Sequence, residues 1–315
     1  MGTRRDFLKK TSFLAGSTIM SSSLSPFLLK PDKDFGFKIS LAEWCHNREI
    51  FSGEMDHLDF PIIAKKNYGI DAVEYVNQFF ADKANDQKYL KELKKRADEH
   101  GVRSVLIMID NEGPVSSEDD KLRLKAVENH YKWVEAAKYL ECDSIRINLF
   151  GAQDPDEWIA ASVDGLGKLA EFGAQNEIAV IVENHGSHSS HGARLAEVMK
   201  QVNSKWTGTL PDFGNFCVAR ENGAMWNAPC IEQYDVYKGT EEMMPYAKGV
   251  SAKTFDFDDD GNEKNLDYMR LFQIIKDSGF NGGYVGIEYE GEHISPAEGI
   301  LLTKKLLEKI RANLK

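Results

Sequence analysis

The chain has 315 residues, 42% of them hydrophobic and 28% charged, with a formal net charge of −11, a composition ordinary for a soluble globular protein. Residues 1–30 hold five basic residues and one acid, so the remainder sets 34 basic against 49 acidic residues, a net of −15. A surface this acidic repels phosphate backbones and excludes nucleic acid as an expected partner.

In chain order, TRRDFLKK (3–10) comes first, followed by an apolar, serine-rich run from Thr11 to Leu29. Paired arginines, Phe-Leu-Lys and a weakly hydrophobic core make the pattern of a twin-arginine export signal over residues 1–30. That pattern predicts a periplasmic protein which crosses the membrane already folded. The run is short and broken by serines, which disfavours a membrane span.

From Phe35 onward, β-like runs alternate with amphipathic helical stretches. The strands read as FKISLAE (37–43), DAVEYV (71–76), VRSVLIMI (102–109), DSIRINLF (143–150), IAVIVEN (178–184), KWTGTLPD (205–212), KGVSAKTF (248–255) and GYVGIEYE (283–290). Helical patterns between and after them include 86–101, 121–140 and 297–314, and Gly101 and Gly279 serve as stop signals before the next strand. Eight βα units predict an α/β fold, a (β/α)8 TIM barrel forming a single domain over residues 35–315. A doubly wound open sheet is the competitor, but no Gly-rich phosphate turn follows the first strand.

Polar residues gather at the C-terminal tips of these strands: Glu43, Glu74, Asn148, Glu183, Asp212, Lys253 and Glu288. Barrel active sites are assembled at that face. Glu183, Asp212 and Glu288 end the fifth, sixth and eighth strands. Three carboxylates meeting there repel one another unless a cation lies between them. Oxygen ligands suit Mn2+ or Mg2+, and an added imidazole admits Zn2+ or Co2+. The competing reading pairs the carboxylates with Lys253 or Arg146 in a purely structural network. His185, two residues past Glu183, shares its face and is a candidate fourth ligand or sugar contact. His188 and His191 complete a three-residue repeat in NHGSHSSHG (184–192) that matches no established zinc pattern. Trp44, Glu43, Glu74, Arg146 and Asn148 are candidate sugar contacts. The long loop 213–230, with Phe213, Phe216 and Trp226, reads as a folded lid that adds Trp226 to the substrate contacts. The four cysteines form no CxxC pair and are expected as buried free thiols; Cys217 with Cys230, bracketing the lid, is the pairing an oxidising compartment would permit.

VENHG, LPDFGNF, SAKTFDF and GIEYEG, at the fifth to eighth strands, resemble the xylose-isomerase-like barrel superfamily. The likeness covers residues 37–312 and is nearest to the sugar phosphate isomerase/epimerase family, in its ketose 3-epimerase-like branch. It implies that a Glu, an Asp, a His and a Glu from strands five to eight hold one divalent metal, and that the two glutamates exchange protons with the sugar. Glu183, Asp212 and Glu288 match three of these positions, with Glu183 and Glu288 as the acid/base pair. The fourth departs: Ser251-Ala252-Lys253 stands where the branch usually has His-x-Lys. Lys253 is then a candidate to stabilise an enediolate or protonate a departing oxygen. The implied function is a metal-dependent isomerase or epimerase that abstracts a proton next to a carbonyl. Export favours a non-phosphorylated sugar or keto-sugar. The alternatives are a lyase or hydratase acting on 3-keto-glycosides and a non-catalytic sugar-binding barrel. No membrane contact is expected after signal removal, and a homo-oligomer is left open.

Overall fold

Apolar strand centres bounded by helix caps and turn glycines become ten strands in the structure, a computed structural model that describes residues 35–314. The export signal expected over residues 1–30 lies outside them. In chain order the strands are β1 (Lys38–Ala42), β2 (Ala72–Val76), β3 (Arg103–Met108), β4 (Ser144–Ile147), β5 (Ala179–Glu183), β6 (Thr207–Leu210), β7 (Cys217–Arg220), β8 (Cys230–Gln233), β9 (Gly249–Thr254) and β10 (Tyr284–Tyr289). β7 and β8 pair antiparallel with each other. The other eight form a parallel sheet in the order β6-β5-β4-β3-β2-β1-β10-β9. The two outer strands then meet. Lys248 N donates to Thr209 O at 3.0 Å, Ser251 N to Pro211 O at 2.9 Å and Phe213 N to Ser251 O at 3.3 Å, which closes the sheet into the expected TIM barrel.

The helices are α1 (Asn47–Ser52), α2 (Phe60–Tyr68), α3 (Gln87–Glu99), α4 (Asp120–Tyr139), α5 (Pro155–Asn176), α6 (Gly192–Val202), α7 (Val236–Met243), α8 (Tyr268–Asp277) and α9 (Pro296–Asn313). Asp86, Asp119, Asp154, Asp235, Asp267 and Ser295 cap their N-termini by accepting first-turn N–H bonds. α3 buries Leu90, Leu93 and Ala97, an i, i+3, i+7 stripe against the barrel. Gly101 after α3 and Gly279 after α8 take positive φ, as C-terminal stop residues do.

Alternation along the strands sorts two layers. Val180 and Val182 join the outer core under the helices, whereas Ala179 and Ile181 join the barrel interior with Ala42, Val76, Met108 and Leu210. The same parity sends Arg146, Glu183, Ser251, Lys253 and Glu288 inward.

The loop expected as a lid is a β-hairpin. Its register sets Arg220 opposite Cys230 and Cys217 opposite Gln233. Cys217 and Cys230 are joined by a disulfide with Cα atoms 5.9 Å apart. The expectation of free thiols is corrected there, because antiparallel pairing brings the two residues together; Cys45 and Cys142 remain free and buried.

Candidate active site

Glu183 closes β5, Asp212 follows β6 by two residues and Glu288 lies on β10, all on the inward face. Each offers an oxygen within 4.8 Å of the others, and all three side chains are buried. Asp212 is fixed from several sides: its N donates to Asn184 Oδ1 at 2.7 Å, and its Oδ1 accepts from Gly214 N at 2.8 Å. Asn184 also donates to Asp212 O and Asn215 O, tying the end of β5 to the start of the lid. Asn215 in turn donates to Glu183 Oε1 at 2.9 Å.

Ser251 reaches Asp212 Oδ2 at 2.7 Å and Glu288 Oε2 at 2.6 Å. A hydroxyl has one hydrogen and cannot donate to two ionised carboxylates at once. The arrangement requires a proton or a cation shared within the cluster. The charge balance agrees. Lys253 Nζ lies 3.4 Å from Asp212, 3.3 Å from Glu288 and 3.2 Å from Glu290. Arg146 Nε lies 2.8 Å from Glu183 Oε2, without the alignment of a hydrogen bond, and its Nη1 donates to Asp110 Oδ1 at 2.9 Å. Five carboxylates (Asp110, Glu183, Asp212, Glu288 and Glu290) thus surround two cations. Pairing with Lys253 and Arg146 is real but incomplete, and the donor set fits a divalent cation.

Burial lifts the Glu183 pKa to about 8, Arg146 pulling it down and Glu288 and Asp212 pushing it up. Burial likewise lifts Asp212 to about 7, opposed by Lys253 and reinforced by Glu288. For Lys253, burial works against the charge, but Asp212, Glu288 and Glu290 outweigh it and hold the ammonium protonated.

Above the cluster opens a cavity of about 1000 Å³ lined by Trp44, Arg146, Asn148, His185, Trp226, Lys253 and Glu288, among others. Six expected site residues from the tips and one from the lid therefore converge on it. His185 forms part of the wall and stands outside the carboxylate cluster: its Nδ1 pairs with Asn148 Oδ1 at 2.9 Å and its ring lies 4.6 Å from Trp226. Desolvation and the charges of Arg146 and Lys253 push its pKa down to about 3. The ring is neutral, its Nδ1–H donates to Asn148, and Nε2 is left as an acceptor. His188 and His191 go elsewhere, to Gln153 O and to the Tyr234 ring. The lid seats Trp226 against Gly186, where a Cβ would come within 3.2 Å of the indole and φ is +85°.

Two expected sugar contacts do not reach the cavity. Glu43 shares the outward face of Leu41 and is buried beneath α2, its Oε1 2.6 Å from His57 Nδ1 and its Oε2 accepting from Val76 N. Glu74 points inward but sits deeper, where Ser40 donates to Oε1 at 2.5 Å and Oε2 is buried without a partner; burial lifts its pKa to about 7. Sequence reasoning missed Asp110, which gathers Arg146 Nη1, Asn148 Nδ2 and Gln78 Nε2. It lies one residue past the run 102–109 and on the inward parity of Met108, so the alternation rule extended by one residue finds it. Asn215, Arg220 and Glu290 were also missed.

Comparison with known proteins adds the following. The description "xylose isomerase-like TIM barrel" matches residues 63–312. Among solved structures, a D-tagatose 3-epimerase-like protein superposes with a TM-score of 0.66 at 17% identity, covering 88% of this chain and 98% of that one. The 3-keto-D-glucoside 4-epimerase YcjR from E. coli gives 0.60 at 14%, with 87% and 100% covered. The IOLI protein with a bound zinc atom gives 0.66 at 15%, with 89% and 99% covered. At these identities the likeness establishes the fold alone. No curated protein sequence matches the chain. The match to the family description spans most of the barrel, and the chain belongs to the xylose isomerase-like TIM barrel family.

Proposed function

We propose that this protein is a divalent-metal-dependent sugar isomerase or epimerase that acts on a non-phosphorylated sugar or keto-sugar by abstracting a proton next to a carbonyl. One observation carries the reading: three buried carboxylates cluster together, two of them on a single serine hydroxyl and one, Glu288, lining a cavity walled by tryptophan, histidine and asparagine.

Glu183, Asp212 and Glu288 would hold the metal. When bound, it supplies a Lewis acid that polarises the sugar carbonyl and acidifies the adjacent C–H. Glu183 and Glu288 come from strands that are not neighbours in the sheet, so one carboxylate takes the proton and the other returns one. Arg146 orients Glu183, and Asp110 holds Arg146 in turn. Lys253, held protonated by its carboxylate neighbours, would stabilise the oxygen on which negative charge develops. Neutral His185 and Asn148 read sugar hydroxyls, while Trp44 and Trp226 offer faces to sugar C–H surfaces.

The test is solvent deuterium incorporation into recovered ketoses with Mn2+, Co2+, Mg2+ or Zn2+ supplied, together with metal analysis of protein purified without chelator. No exchange under any metal, and no stoichiometric metal, would overturn the proposal. A lyase or hydratase acting on 3-keto-glycosides is the second reading. It is favoured by the cavity volume of about 1000 Å³, at the upper end of ligand pockets and roomy for a sugar with a second group attached. Released aglycone in the same assay separates the two. We also propose export by the twin-arginine route to the periplasm, a compartment in which the Cys217–Cys230 disulfide persists; retention of an Arg4→Lys, Arg5→Lys variant in the cytoplasm tests it.

A further inference from the structure

The cations of the cavity wall are almost all neutralised. Arg146 meets Asp110 and Glu183, Lys253 meets three carboxylates, and Arg48 lies 3.6 Å from Glu292. Arg220 is the exception among the described lining residues: no carboxylate oxygen lies within 4.0 Å of its guanidinium. Its Nη1 donates to Ala228 O at 2.8 Å, and its other N–H donors have no protein partner.

This guanidinium is held in place. Arg220 ends β7, the Cys217–Cys230 disulfide ties that strand to β8, and Glu221 N donates to Pro229 O at 3.0 Å across the hairpin. A guanidinium fixed by one bond, on a residue that lines the cavity, keeps donors free that match the planar, bidentate geometry of a carboxylate.

We infer that Arg220 is a specificity-determining residue that pairs with a carboxylate carried by the substrate, so that the substrate is an acidic keto-sugar. The inference rests on the sugar-processing reading above. Because Arg220 belongs to the lid and the reacting carboxylates to the strand tips, the acid group lies at the end of the sugar away from the enolisable carbonyl. One free positive charge matches one negative charge. A phosphate dianion would bring a second charge to a wall that also carries Glu290 and Glu292.

The experiment is calorimetric titration of the purified protein with D-fructuronate, D-fructose and D-fructose 6-phosphate, for wild type, Arg220→Gln and Arg220→Lys. The expected result is D-fructuronate binding about ten- to a hundredfold tighter than D-fructose, the range of a charge-assisted hydrogen bond. In Arg220→Gln that ratio collapses toward one; in Arg220→Lys it is partly kept, since charge remains without the fork. Thermal scans confirm that both variants fold. An acid-to-neutral ratio unchanged in Arg220→Gln overturns the inference, as does tighter binding of the phosphate than of the uronate. Deuterium exchange into D-fructose without any preference for the acid overturns the Arg220 assignment alone. Absence of both binding and exchange with every probe overturns it together with the sugar-processing reading.

Discussion

Replacing Asp212 with asparagine in the metal-free protein tests the electrostatics of the site most directly. The carboxyl is fully buried, and its pKa stands at about 7, lifted by burial against Lys253. In the unfolded chain the group titrates near its ordinary value of roughly 4. Between those values the folded protein keeps a proton that the unfolded chain has released, so stability falls as pH rises from about 4 to about 7 and levels off above. About three pK units at roughly 1.4 kcal/mol each put the loss on the order of 4 kcal/mol. Asparagine has no charge to bury. Its Oδ1 can still accept from Gly214 N, and its Nδ2 can donate to Ser251 Oγ. The variant should therefore match wild type at or just below about pH 4 and exceed it at pH 8, with a Tm higher there by roughly 5–10 °C. Differential scanning calorimetry with chelator present measures both points. Saturating Mn2+ should reverse the order at pH 8, because binding to the folded state stabilises only the protein that keeps its ligands. A difference that does not change with pH, or a variant less stable at both values, would refute the description of Asp212 as a buried charge awaiting a cation.

Three further outcomes follow from the same geometry. Glu288→Gln removes one of the two proton-transferring groups and should lower the rate of deuterium exchange by about 10²–10⁴-fold while leaving sugar binding measurable; exchange at the wild-type rate removes Glu288 from the mechanism. Cys217→Ser with Cys230→Ser opens a link of sequence separation 13, worth roughly 3 kcal/mol by loop closure, and should appear as faster proteolysis in the hairpin and a raised KM; unaltered proteolysis and KM would mean that the lid needs no staple. Glu43→Gln disrupts a buried pair with His57 and should cost about 1–3 kcal/mol of stability with KM unchanged, whereas a shifted KM would return Glu43 to the substrate contacts.

The barrel was legible because parallel strands are covered on both faces and read as short apolar runs, as in AVIVE of β5, where every residue is buried. The carboxylate cluster was legible for a related reason. Parity fixes which residue of a strand tip turns inward, and VENHG, LPDF and GIEYE each place an acid on that face. Where parity was not applied, the expectation went astray: Glu43 lies two residues past Leu41, at even spacing, and goes out with it, to His57. The hairpin and Arg220 were illegible in a stronger sense, and the disulfide was legible only as a permitted pairing behind the expected free thiols. They depend on the register of β7 against β8, and four-residue strands flanking Asn-Gly and Pro turns carry no alternation long enough to reveal it. The pairing of Asn148 with His185, and of both Arg146 and Asn148 with Asp110, joins residues 36 to 38 apart and appears only once the strands are adjacent.

Ser251 shows how the site is held together at the seam of the barrel. Its backbone is the seam of the barrel: its N donates to Pro211 O and its O accepts from Phe213 N, on either side of Asp212. Those bonds need no particular side chain, so the register that sets Asp212 opposite position 251 does not depend on which residue stands there. Imidazole and hydroxyl are both neutral, so the excess of negative charge over Arg146 and Lys253 is also unaffected. What changes is local. A histidine ligand would contribute a lone pair, whereas the serine contributes a single proton to two carboxylates. An all-carboxylate set of this kind would suit a hard, oxygen-preferring dication better than zinc. Barrel closure and the hydrogen bonding of the carboxylate cluster thus meet at one residue, the first through its main chain and the second through its side chain.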